Sequence, residues 1–306
     1  MKKYLLPLLF LFSYYGCESD HNQNVLTQAA NSSTNFGDYW YRGLAEITSY
    51  TLQQSRYGEV HNGEAVLIFV TEDFSGQKQV KLDDPEKAGK DAIKVLKMNA
   101  LRKFNTGVYP YTVMTSTFSP LDQERYPRPL KITTSVQEWC GHAFVQMNYL
   151  DDQYRVQQYS YFETEGDRIS YINSAISEDE IWATIRLNPD DLPTGEITII
   201  PGTLYQRFAH IPWKSVQATA LLMPVLMRDD LMEYKLVYHP GLNRILSIQF
   251  KRKFPYEIES WKEIEIDDND KELTTVGTLN KRIMLDYWTK NSRLDIKLRN
   301  ELGLKD

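Results

Sequence analysis

Cysteine is nearly absent from this chain: Cys17 and Cys140 are the only two in 306 residues. A disulfide framework is therefore excluded as the source of stability, and a chain of this length can bury enough surface to fold without one. Histidine is sparse too, with five in all, and neither C-x-x-C nor H-E-x-x-H spacing occurs to gather zinc. The G-x-S-x-G elbow of hydrolases, the P-loop and the glycine pattern of dinucleotide-binding folds are missing as well. Basic charge is not in excess: 35 Lys and Arg against 41 Asp and Glu, spread along the chain, leave a net charge of -6. Without a basic face to attract phosphates, nucleic acid is not an expected partner, and no cofactor is implied.

What is present begins at the N-terminus. Residues 1–16, MKKYLLPLLFLFSYYG, place Lys2 and Lys3 before an apolar run from Tyr4 to Phe12. That is the pattern of a secretory signal, too short to cross about 30 Å of hydrocarbon as a helix. Gly16 followed by Cys17 resembles the lipobox of bacterial lipoproteins, in which the cysteine is acylated and becomes the first mature residue, although Tyr14 and Tyr15 replace its usual aliphatic and small residues. Two or three acyl chains make such an anchor stable where one is marginal. The expectation is a cell-envelope protein, lipid-anchored to a membrane at Cys17 on the periplasmic face or the cell surface. Residues 17–35 are polar, without apolar period, and read as a flexible tether; residues 36–306 read as one β-rich domain.

Within that domain, β-patterned segments recur at short intervals. Asn62-Gly63 is the strongest hairpin-turn signal, since both central residues of a type I′ turn need positive φ. AIKVLKMNALRKF fits a strand through Leu96, Met98, Ala100 and Phe104, turned by Asn105-Thr106-Gly107. Ser177 with Glu180 forms a capping box ahead of IWATIRL, so a short helix is predicted there, ended by Pro189. GEITIIPG and TLYQRF read as strands, as do MEYKLVYH, RILSIQFKRKF after a Pro240-Gly241 turn, and YEIESWKEIEI. The Asp267 to Asp270 run reads as a solvated loop, and the stretch from Leu273 as a last strand with a polar helical end. The predicted class is mostly β: an antiparallel sheet curled into an open or half-closed barrel, with one or two short helices.

The stretch Lys131 to Asp167 carries the densest chemistry. Read as one long hairpin turning at Asp151-Asp152, it pairs residues whose numbers sum to 303. Its core side would carry Trp139, Ala143, Val145, Met147, Tyr149, Tyr154, Val156 and Phe162. Its other side would gather Glu138, Cys140, His142, Glu163, Tyr161 and Tyr159. Cys140 and His142 are candidates for a nucleophile and its base, because an imidazole close to a thiol lowers its pKa, with Glu163 as a carboxylate across the hairpin. The competing reading is a small buried Cys140 beside a hydrogen-bonded His142. A zinc site from Cys140, His142 and Glu163 lacks the supporting spacing. Glu138, Tyr159 and Tyr161 are candidate binding residues.

EAVLIFVTEDF, KFNTGVYPYTVMTSTF, SVQEWCGH, YSYFETEGD, DEIWATIRLNPDDLPTGEI and IIPGTLY, together with the leader, resemble a family of uncharacterised exported lipoproteins from Bacteroidota. The resemblance covers the chain from about Tyr39 to Trp261. Some members carry the label "septum formation inhibitor Maf"; true Maf proteins are cytoplasmic nucleotide pyrophosphatases with an S-x-S-P-R loop, which this sequence lacks. The resemblance implies export and supplies no catalytic residue. The expected function is a membrane-anchored binding or structural lipoprotein taking a lipid, glycan or protein ligand. The alternatives are an envelope enzyme using Cys140 and His142 and, behind it, a nucleotide pyrophosphatase.

Overall fold

Alternation of apolar and polar side chains lays out fifteen strands in the computed structural model, which describes residues 36–239, 241–266 and 271–304. The leader, Cys17, the tether, Pro240 and the Asp267 to Asp270 run lie outside the described residues. The first eight strands are β1 (Ala45–Arg56), β2 (Glu59–Ser75), β3 (Ala92–Thr106), β4 (Tyr109–Pro120), β5 (Lys131–Glu138), β6 (Gly141–Leu150), β7 (Gln153–Ser160) and β8 (Arg168–Asn173). The rest are β9 (Ile176–Ser177), β10 (Gly195–Ile200), β11 (Val216–Val225), β12 (Arg228–Tyr238), β13 (Arg244–Lys251), β14 (Ile258–Ile266) and β15 (Glu272–Leu285).

Pairing follows the sequence from β1 to β8 and from β9 to β15, and β15 returns to pair antiparallel with β1. Every pairing is antiparallel except β9 with β10. The sheet is a meander with a single break, between β8 and β9, so its two edges are consecutive in the chain. It is strongly curled. Arg102 on β3 hydrogen-bonds Glu263 on β14, although three strands separate them in the sheet. Laid flat, four strand spacings would hold their backbones about 19 Å apart. The main core accordingly joins both halves, with Tyr50, Leu67 and Val113 packed in one cluster with Leu236, Ile248 and Trp261.

The helices are α1 (residues 36–40), α2 (Pro85–Ala88), α3 (Glu178–Leu187), α4 (Thr203–Phe208) and α5 (Lys297–Glu301). The α3 helix follows the break, and it is buried nearly all round, as a helix filling the barrel must be. Ser177 and Glu180 close its capping box, as predicted. Ion pairs fasten it at three places: Arg186 to Glu46 of β1, Glu178 to Arg244 of β13, and Glu180 to Arg128 in the β4–β5 loop. After β15 the chain lays Tyr287, Leu302 and Leu304 over the outer apolar surface of Ile47, Val66, Val70 and Ile283.

Several expectations are corrected. Asn62 and Gly63 lie inside β2, opposite Gln53 and Leu52 of β1, and the turn is Tyr57-Gly58, both at positive φ. Gly63 is needed for a different reason: a Cβ there would collide with the β3 backbone at Lys103. TLYQRF is helix α4 rather than a strand. The Lys131 to Asp167 stretch is not one hairpin, because Trp139-Cys140 is itself a tight turn with Glu138 paired to Gly141. The 303 register holds from Ala143–Ser160 to Leu150–Gln153. Trp139, expected in the core, is 68% exposed because it sits on that turn.

Candidate functional site

The β5–β6 turn places Cys140 in solvent rather than in a buried strand. Its backbone N–H donates to Glu138 Oε2 at 2.6 Å. The hydrogen bond and charge of Glu138 push the Cys140 thiol up, whereas a nucleophile needs it down. His142 is exposed and lies opposite Gln137 of β5. Glu138, His142 and Tyr161 do line one crevice, together with Arg56 and Arg207, but it holds only about 10 Å³. Glu163 and Tyr159 lie elsewhere, both exposed, with the Tyr159 ring stacked on Phe144 at 6.4 Å. The imidazoles that meet carboxylates are His239, whose Nε2 lies 2.9 Å from Glu196, and His210, whose Nδ1 lies against Glu165, a carboxylate that also accepts from Arg207 at 3.1 Å. Among the described residues no group of three or more His, Cys, Asp and Glu is placed to hold a metal ion.

A larger space lies within the barrel, at the end carrying the β1–β2 turn, here termed the upper end. This cavity of about 140 Å³ runs between β1–β3, β13–β15 and the α3–α4 side. Aromatic walls come from Trp182, Tyr205, Phe208 and Trp261. Its polar groups are Arg56, Arg102 and Arg244 against Glu178, Asp179, Glu263 and Glu265. Burial opposes charge on Glu263, but Arg102 and Arg244 outweigh it and hold that carboxyl below its ordinary range. Glu178 accepts from Arg244 Nη2 at 2.6 Å and from the Tyr238 hydroxyl. Gly202, which starts α4, leaves room for the Glu178 carboxylate, which a Cβ would strike.

Asp179 and Glu180, adjacent on the first turn of α3, are both pushed up to about 7 by burial. Asp179 Oδ2 accepts the Thr203 N–H of α4 at 2.9 Å, and Glu180 Oε1 accepts from Arg128 at 3.0 Å. The helix N-terminus favours acids at these positions.

Two cavity groups are not used up in this way. Arg244 is 2% exposed, yet its Nε and Nη1 meet no acceptor. Directly across the β13–β14 pairing stands Glu265, whose carboxyl burial pushes up. A donor edge and a desolvated carboxyl therefore stand side by side on the inner face, at the ~5 Å spacing of cross-strand neighbours. The signal for them was in the alternation: Arg102 falls in register with Leu96, Met98 and Phe104, and Arg244 with Leu246 and Ile248, so both point to the core face.

No protein-family model matches the chain, and no curated protein matches it. Among solved structures it is similar to one described as "Crystal Structure of Beta-barrel-like Protein of Domain of Unknown Function DUF1849 from Brucella abortus". The likeness covers 79% of this chain and 98% of that one, at 10% identity and a TM-score of 0.46. At that distance nothing about the site is carried across.

Proposed function

We propose that the protein is a membrane-anchored exported lipoprotein whose barrel binds a small polar ligand in the upper cavity. The leader ending in Gly16-Cys17 supports the anchor. The observation that supports the ligand is Arg244, buried against Glu178 with its Nε and Nη1 donors still unused. Leaving buried donors unmet costs about 1–3 kcal/mol, which a ligand acceptor would recover. The space suits a compact molecule: engineered cavities of about 150 Å³ hold benzene, while drug-sized pockets run from about 300 Å³ upward.

Four acids facing three arginines in the walls disfavour a simple anion. A zwitterion fits better, with its carboxylate on Arg244, its ammonium on Glu265 and its apolar part against Trp261 and Phe208. This is the chemistry of a free amino acid. The test is thermal unfolding of the mature chain with L-valine, isovalerate, which lacks the ammonium, and isobutylamine, which lacks the carboxylate. Valine at millimolar concentration should raise the unfolding temperature, neither half-molecule should, and Arg244→Lys and Glu265→Gln should each abolish the response. No stabilisation by any common amino acid, or an undiminished response in Arg244→Lys, would sink the reading.

A further inference from the structure

The opposite, lower end of the barrel carries a feature that the cavity does not explain. The β11–β12 hairpin turns through Leu226 and Met227, with Val225 paired to Arg228. Leu226 is 85% and Met227 91% exposed, and Met227 stands at φ 61°. The second position of such a turn favours glycine, because a side chain in the left-handed region costs about 1–2 kcal/mol. Here the sequence accepts that cost and also holds two large apolar side chains in water.

Exposed basic side chains flank the tip in a chain that is acidic overall. Arg228, Lys251, Arg252 and Lys253 lie at the tip and the neighbouring β13–β14 turn, beside the acids Asp229, Asp230, Glu257 and Glu259, of which Glu257 pairs with Arg282 and Glu259 with Lys251. The two turns are joined, since the Arg252 N–H donates to Asp230 O at 2.9 Å. Asp230 is shared by Arg228 and Lys251, at 3.0 and 2.8 Å, while Arg252 and Lys253 are exposed. The described chain also begins at this end. Phe36 of α1 packs 6.4 Å from Phe254, the residue after Lys253, and Tyr41 beside it is 56% exposed.

We propose that the Leu226-Met227 tip inserts into the surface of an anionic bilayer, with Arg228, Arg252 and Lys253 on the headgroups and Tyr41 at the interface. Apolar tips flanked by Lys and Arg bind in this way through buried apolar area plus attraction to anionic lipid. The inference rests on the lipid-anchor reading only for which membrane lies near; the affinity of the tip belongs to the folded barrel. The described chain starts on the same side of the barrel as the tip, and the upper cavity lies on the other.

The test uses the chain from Cys17 onward with Cys17→Ser, so that no acyl chain contributes, sedimented with phosphatidylglycerol–phosphatidylethanolamine vesicles and with phosphatidylcholine vesicles. It should partition onto the anionic vesicles only, and less at high salt. Leu226→Asn with Met227→Gly removes both apolar side chains and puts glycine at the positive-φ position; it should raise the unfolding temperature while weakening vesicle binding about tenfold or more. Arg252→Glu with Lys253→Glu should weaken binding as well. Absence of vesicle binding by the parent, equal binding by the Asn-Gly variant, or loss on Trp139→Ser at the upper end instead would overturn the proposal. Whether Cys17 is acylated is read separately, from the mass of the membrane-extracted protein.

Discussion

Two clusters of reactive side chains stand in this molecule under opposite conditions. On the upper rim, Cys140, His142 and Glu138 crowd a tight turn in water; inside the barrel, Glu178, Asp179 and Glu180 head a buried helix. The rim looks more like an active site on paper. The interior is where charge has consequences, because low dielectric makes each carboxylate depend on its partner. The Cys140 thiol moves away from reactivity under Glu138, whereas Asp179 and Glu180 are brought to about 7, where a proton can come and go near neutrality. Enclosure, more than residue type, separates a site from an ornament.

The largest effect should come from breaking the interior at Arg186. Its guanidinium makes two hydrogen bonds to Glu46 and a third to Pro255 O at 2.9 Å, and lies over the Trp40 and Phe69 rings. Burial opposes ionisation of Glu46, but Arg186 outweighs it and keeps that carboxyl below its usual range. Arg186→Met removes one partner of a buried pair and should cost about 3–5 kcal/mol in urea unfolding. If Glu46→Gln together with Arg186→Met recovers much of that loss, the cost belongs to the stranded charge. A loss below about 1 kcal/mol would mean that α3 is not held by this pair.

A smaller effect follows from pH. Asp179 and Glu180 have folded values near 7, above the ordinary carboxylate value of about 4, so the folded state holds extra protons between the two. Their contribution to stability is full below about pH 4 and is lost as pH rises through about 7. Glu46 and Glu263 are shifted the other way and lose theirs as pH falls through the acidic range. Stability should therefore peak in weak acid and decline by pH 8, as read from urea midpoints. Asp179→Asn should flatten the decline between about pH 4 and pH 7. A midpoint that rises steadily from pH 5 to pH 7 would show that burial does not govern these acids.

Much of the fold was legible in the sequence because strand alternation and a capping box are local signals. The helix at Glu178–Leu187, the strand at Ala92–Thr106 and the Asp151-Asp152 turn all follow from neighbouring residues. TLYQRF was not legible: Thr203 and Tyr205 face the core through contacts with β5 and Leu242 that are remote in sequence. Asn62-Gly63 misled because a glycine required for close packing against β3 carries the same letter as one required for a turn. The cavity was hidden for a related reason. Arg102 and Glu263 meet only because the sheet curls, and curl is written in no single segment, although a charged residue in core register on β3 and again on β13 was a readable clue.

The smallest effect is also the sharpest test of the comparison. Cys140 is exposed, so iodoacetamide can reach it, and only its raised pKa limits the rate. At pH 7 the thiolate is the minor form, and alkylation should be slower than that of an unperturbed thiol, accelerating as pH rises above the ordinary value of about 8.5. Glu138→Gln removes the carboxylate that pushes the thiol up and should speed the reaction at neutral pH. Cys140→Ser, at an exposed turn with no core contact, should shift stability by less than about 0.5 kcal/mol. Alkylation at pH 6 faster than that of free cysteine would reverse the assignment, because a depressed thiol on the rim would give His142 the role of its activating partner and return the reactive chemistry from the interior to the turn.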